Sequence, residues 1–162
     1  MEIRKGTIQN LPSILEILNY EIENSTSVYD ENPRSLETIQ LWFEEKNSLN
    51  FPVFVALEND KVLGYGTIGK FRPHDGYRFS VEHSIYVHKD SRGKGIGHLL
   101  LEKLIDSSKE LGYHSMIAGI DASNEKSCKF HAEFGFVEVG RLKEVGFKFG
   151  KWLDLVFMQK IL

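Results

Sequence analysis

The apolar positions of the chain follow two periods in turn, and the places where one gives way to the other predict the order of elements. Ile3 to Ile8 reads as a short opening strand. Leu11, Ile14, Leu15, Leu18 and Ile22 then recur at i, i+3, i+4 spacing, as a helix with one apolar stripe requires, and Asn10 stands where a side-chain oxygen would cap it. Pro33 and Ser35 introduce a second helix through Ile39, Trp42 and Phe43. The polar stretch Glu23 to Asn32 is left as a loop between helices, of a kind that often covers a site. Val53 to Glu58 and Val62 to Gly69 are predicted strands, joined by the hairpin composition Asn59-Asp60-Lys61.

Phe79 to His88 alternates cleanly, with Phe79, Val81, His83, Ile85 and Val87 on one face and Ser80, Glu82, Ser84, Tyr86 and His88 on the other. From Gly93 to Leu111 the set Ile96, Leu99, Leu100, Leu104 and Leu111 makes an amphipathic helix closed by Gly112. His114 to Ile120 reads as a buried strand, and Asn124 to Phe134 as a short helix stopped by Gly135. Phe136 to Arg141 and Trp152 to Ile161 finish as strands, separated by a turn over Gly146 to Gly150. The predicted order is β, α, α, β, β, β, α, β, α, β, β.

With 162 residues and no internal repeat or linker, the chain is expected to form a single domain, 1–162. Hydrophobic residues make up 41% and charged residues 27%, the balance of a folded globular protein. A formal charge of -3 without a Lys/Arg cluster argues against a nucleic-acid partner, since phosphate neutralisation dominates such binding. The charged start Met1-Glu-Ile-Arg-Lys-Gly lacks the apolar core of a signal peptide. No run approaches the roughly 18 apolar residues of a membrane span, so a soluble, cytoplasmic protein is expected. A single cysteine, Cys128, cannot form an internal disulfide and reads as core. His74, Asp75, Glu82, His83 and His88 match no metal-ligand spacing, so no metal is expected.

The chemistry concentrates in two places. Arg92-Gly93-Lys94-Gly95-Ile96-Gly97 lies between a strand and an amphipathic helix, where free backbone N–H groups and the helix dipole hold a pyrophosphate. Arg92 and Lys94 add charge, and Lys94 or His98 could reach further phosphate oxygens. The spacing fits neither a dinucleotide fingerprint nor a Walker A loop, because His98 stands where the third glycine belongs and no Gly-Lys pair precedes Ser or Thr. The second place is Glu82, a carboxylate in an otherwise apolar and aromatic strand, where partial burial would raise its pKa toward that of a useful base.

The turn resembles the cofactor motif [QR]-x-x-G-x-[GA] of the GNAT acetyltransferase superfamily, matched by Arg92, Gly95 and Gly97. Phe71-Arg72, Tyr77-Arg78, Val81 to Val87, Asn124, His131 and Gly146-Phe147-Lys148-Phe149-Gly150-x-Trp152-x-Asp154 are similar to its phosphinothricin and methionine sulfoximine N-acetyltransferase branch. This resemblance implies an α+β fold, an α/β/α sandwich whose mostly antiparallel central sheet splays at the cofactor strand and carries helices on both faces. It implies an acetyl-CoA-dependent N-acetyltransferase acting on the primary amine of a small amino-acid-like substrate. The pantetheine arm would pair with the backbone of Ile85, Tyr86 and Val87, the pyrophosphate would sit on Gly93, Lys94, Gly95, Ile96, Gly97 and His98, and Asn124 would bond the pantetheine side. Glu82 would deprotonate the amine, directly or through water, and His131 would either protonate the departing thiolate or only bond the coenzyme A sulfur or a helix neighbour. Arg72 and Tyr77 would hold the acceptor, with Tyr29 closing the pocket and Arg78 assisting.

The branch often has a second arginine two residues after the first, where this chain has His74, so acceptor selectivity is expected to differ. The resemblance also implies a homodimer with the Lys148 to Asp154 region near the subunit contact. Two other functions stay open: acetylation of a peptide or protein N-terminus, and a non-catalytic acetyl-CoA sensor, which would need the glycine turn but not Glu82 with His131.

Overall fold

The computed structural model describes residues 1–162, and its strands and helices follow the predicted order. Seven strands form one sheet: β1 (Glu2–Lys5), β2 (Val53–Glu58), β3 (Lys61–Lys70), β4 (Ser80–Val87), β5 (Ser115–Asp121), β6 (Val137–Lys148) and β7 (Lys151–Ile161). They lie in the order β1-β2-β3-β4-β5-β7-β6. Four helices accompany them: α1 (Leu11–Asn24), α2 (Leu36–Ser48), α3 (Ile96–Glu110) and α4 (Glu125–Glu133). Every neighbouring pair of strands is antiparallel except β4 and β5, which are joined through α3, as a parallel connection demands.

Two apolar clusters coat the two faces. Leu100, Leu101 and Leu104 of α3 pack with Val81, Met116, Ala118 and Val156. Leu11, Ile14, Leu18 and Ile22 of α1 pack with Val55, Val62 and Tyr65 on the other side. Because strand side chains alternate, β4 sends Val81 and Ile85 to the α3 face and Tyr86 to the α1 face, and Glu82 shares the face of Tyr86.

The feature that positions the site is a failure of pairing. β4 meets β5 only over Ser80–Glu82 against Ser115–Ile117. Beyond that point β4 stays bonded to β3 through Val87, while β5 stays bonded to β7 through Asp121. A wedge therefore opens between the last halves of the two strands, and the β4 backbone beyond Glu82 keeps one edge free.

Two local expectations are corrected. The opening strand ends at Lys5, and Ile8–Asn10 forms a 3₁₀ turn in which Asn10 Oδ1 accepts from the Thr7 N–H at 2.9 Å and from the Thr7 hydroxyl at 3.1 Å. Asn10 thus serves the residues before it; Pro12, second in α1, has no N–H to offer a cap. The strand expected to stop at Arg141 continues as β6 to Lys148, and the turn shrinks to Phe149-Gly150. Its register shifts between Leu142 and Gly146, with Glu144 at φ 51 and its N–H held by Asp154 Oδ1 at 2.8 Å. That bulge breaks the period-two pattern and hides the strand from a reading of the sequence.

Candidate active site

Glu82 is the last residue of β4 paired with β5, at the apex of the wedge. Its carboxylate lies over Gly119 of β5, where an added Cβ would come within 2.8 Å of Oε1. Burial alone raises its pKa above the ordinary carboxyl value, with no neighbouring charge contributing. The chain has placed a carboxylate in an apolar setting with no partner of its own, the arrangement expected of a proton acceptor.

Below the apex, the strand end Ile85–Val87 is half-buried along the open edge of the wedge. Gly93 and Gly95 both adopt φ of 77°, a left-handed conformation that glycine takes without strain, and a Cβ on either would meet no atom within 4 Å. The α3 backbone bonds begin with the Leu99 N–H donating to the Gly95 carbonyl, so the N–H groups of the preceding residues remain available at the start of the helix. Arg92, Lys94 and these glycines are exposed, whereas Ile96 is buried under the turn. An open wedge edge beside a glycine turn at a helix N-terminus fits the pantetheine arm and pyrophosphate of a coenzyme A ester. Asn124 caps α4, its Oδ1 accepting the Ser127 N–H at 3.0 Å, which leaves its amide N–H groups free. The His98 ring is engaged elsewhere, bonding Glu133 at 3.0 Å and packing edge-on to Phe130, which leaves only its backbone to the glycine turn.

His131 lies buried on the α3 side of the sheet, behind β4. Its Nδ1 is 2.7 Å from the Ser127 carbonyl, which only accepts, so Nδ1 carries the proton. Its bare Nε2 faces Nε2 of His83 at 3.0 Å, and His83 must supply the single proton between them. Nδ1 of His83 is then a buried acceptor without a partner. Burial lowers the pKa of both rings; the nearby His131 lowers that of His83 further, and the Ser127 carbonyl partly offsets the effect at His131. His131 in this state holds no free N–H.

On the Glu82 face, the acceptor residues read from the sequence are partly brought together. The Phe71 ring meets Tyr77 at 5.9 Å and Phe157 at 6.0 Å, and Phe157 also stands beside Gly119. Arg72 is exposed, with its guanidinium 5.6 Å from the Phe71 ring and no acidic partner. Arg78 folds back instead, donating to the Asp75 carbonyl at 3.1 Å and stacking on Phe79, so it does not join the group. Tyr29 reaches the same region, its hydroxyl 3.4 Å from both Asp121 Oδ2 and the Asp154 carbonyl; burial first, and Asp121 second, push its pKa up to about 12.

Gly119, Asp121, Phe157 and, on α1, Glu21, whose carboxylate holds Arg92 of the glycine turn, were missed in the sequence. A glycine inside a buried strand and an acid at the end of a parallel strand were the available signals for the first two. Nothing in the sequence pointed to Phe157 or Glu21, which depend on which strands and helices meet.

The profile of the Acetyltransferase (GNAT) family matches residues 16–136. The L-methionine sulfoximine/L-methionine sulfone acetyltransferase of Pseudomonas paraeruginosa is 42% identical over 97% of this chain and 92% of its own. The crystal structure of a ribosomal-protein-alanine N-acetyltransferase from Brucella melitensis superposes with a TM-score of 0.99 at 46% identity, covering 100% of both chains. A phosphinothricin acetyltransferase from Sinorhizobium meliloti, solved in complex with AcCoA, superposes with a TM-score of 0.96 at 38% identity, covering 99% of this chain and 88% of that one. A strand pair that splays beside a glycine turn, matched in sequence and in structure over nearly all of its length, makes this chain a member of the GNAT acetyltransferase family.

Proposed function

We propose that the chain transfers the acetyl group of acetyl-CoA to the primary amine of a small amino-acid-like substrate such as methionine sulfoximine, methionine sulfone or phosphinothricin. The observation that carries this reading is the unpartnered Glu82 carboxylate at the apex of the β4–β5 wedge. Acetyl-CoA supplies an activated acyl group. Glu82 takes a proton from the acceptor ammonium, directly or through water, because only the neutral amine has a lone pair for the thioester carbonyl. Backbone N–H groups near Tyr86 polarise that carbonyl. As the C–N bond forms and the C–S bond breaks, the nitrogen releases its second proton and the thiolate takes one up; His131 is the candidate relay, once its Nε2 turns from His83 and receives that released proton. Arg72 offers a planar fork to the acid group of the acceptor, and Tyr77 and Tyr29 wall the pocket.

The Brucella melitensis likeness favours a second reading, acetylation of a protein N-terminus. Against it, the Tyr29 loop lies across the acceptor side, where a peptide would need an open groove. Thiol release from acetyl-CoA should be fast with phosphinothricin, methionine sulfoximine or methionine sulfone, and slow with alanine-led peptides; the reverse order overturns the reading. Equal rates on amines lacking an acid group would remove Arg72 from acceptor binding.

The same reading includes a homodimer and a cytoplasmic resistance role. Exposed Val137, Val139, Phe147 and Trp152 on the β6–β7 hairpin, the last 63% exposed, support self-association, and sedimentation of the purified protein tests it. No helix is long and apolar enough to cross a membrane.

A further inference from the structure

Arg92, which opens the glycine turn, binds Oε1 of Glu21 on α1. Glu21 is only 5% exposed, and its other oxygen accepts the Ser25 hydroxyl at 2.7 Å. Ser25 is the first residue beyond α1, and its carbonyl accepts from Nζ of Lys148 at 2.8 Å. Lys148 is wholly buried and donates again to the Val28 carbonyl at 2.6 Å. The next residue, Tyr29, lays its ring on Gly146, where a Cβ would come within 2.6 Å of it. Gly146 and Lys148 stand two apart on β6, so one face of one strand provides both the seat and the hook for this loop.

Burying a carboxylate and an ammonium is costly, and apolar residues would cover the loop without that cost. What the charged chain adds is a fixed spacing between the cofactor turn and the acceptor loop. We propose that Glu21 is a positioning residue for both substrates: one oxygen fixes Arg92 at the cofactor turn, and the other, through Ser25 and Lys148, fixes the Tyr29 loop over the acceptor pocket. The proposal rests on the acetyl-transfer reading, and it makes the two binding sites dependent on each other.

Steady-state kinetics with acetyl-CoA and methionine sulfone separate the ends of the chain. Ser25→Ala should raise the KM for the amine several-fold, on the order of one lost hydrogen bond, and leave that for acetyl-CoA within about twofold. Glu21→Gln should raise both. Lys148→Met should act like Ser25→Ala, and Lys148→Arg should recover part of the loss. Glu21→Gln moving one KM or neither, or a loss confined to kcat, overturns the proposal. If Glu21→Gln fails to fold, a double-variant cycle of Arg92→Lys with Ser25→Ala decides: non-additive effects on amine KM support the coupling and additive effects refute it. If the wild type acetylates no amine, the reading of function fails by itself. Hydrogen exchange then judges the network, expected to quicken at residues 25–30 in Ser25→Ala and to slow in the wild type when coenzyme A is added; unchanged exchange overturns it.

Discussion

Glu82 is set apart from the other acids by what surrounds it. Desolvation favours its protonated form, so its proton affinity is brought toward that of an amine, as the proposed role of base requires. Below its raised pKa it carries the proton and cannot accept one; turnover should therefore fall as pH drops through that value. Glu82→Gln should lower kcat/KM by about 10² to 10⁴ and abolish this acid limb, read from a pH–rate profile. A variant with unchanged rate and profile would exclude Glu82 from the chemistry. Gly119→Ala probes the same group from across the wedge. Its Cβ would stand only 2.8 Å from Oε1, closer than such atoms approach, so the carboxylate must shift. We expect kcat to fall by about 10² with little change in melting temperature or in the KM for acetyl-CoA, since a displacement of about 1 Å suffices for such a loss.

At the scale of elements, the site is made by two strands parting and one helix starting. β4 holds Glu82 where its pairing with β5 ends and leaves a free backbone edge beyond that point. The α3 turn brings its N–H groups to the same edge only because Gly93 and Gly95 take a left-handed backbone. Gly95→Ala meets no steric obstacle from its Cβ but must hold φ near 77°, at a cost of about 1–2 kcal/mol. That loss should lower the melting temperature by roughly 2–4 °C per kcal/mol. The KM for acetyl-CoA should rise while that for the amine does not. A melting temperature equal to that of the wild type would mean that the turn adopts another conformation.

For the whole molecule, the His83–His131 pair links pH to stability. Burial holds the folded pKa of His83 well below the unfolded value of about 6.5. Its contribution is fully present above that value and is lost as pH falls below it, by up to about 1.4 kcal/mol per pH unit, because the unfolded chain binds a proton the core refuses. Glu82, with a raised folded pKa, acts in the opposite direction, gaining stability as pH falls toward the ordinary carboxyl range. Urea unfolding at pH 7.5, 6.5 and 5.5 should show a decline in the wild type that His83→Phe flattens; identical slopes would mean that the pair titrates normally. The order of elements, the glycine turn and the alternation that sends Glu82 and His83 to opposite faces were all legible in the sequence, because they are set by local period and by the conformational needs of single residues. The β6 bulge was not, since a break in period looks like the end of a strand. Neither were the place where β4 leaves β5, the shelf at Gly119, the closed pairing of two histidines 48 positions apart, nor the run from Arg92 through Glu21 to Lys148. Those depend on which residues meet across the sheet, and distances between remote side chains are fixed only when the strands have found their partners.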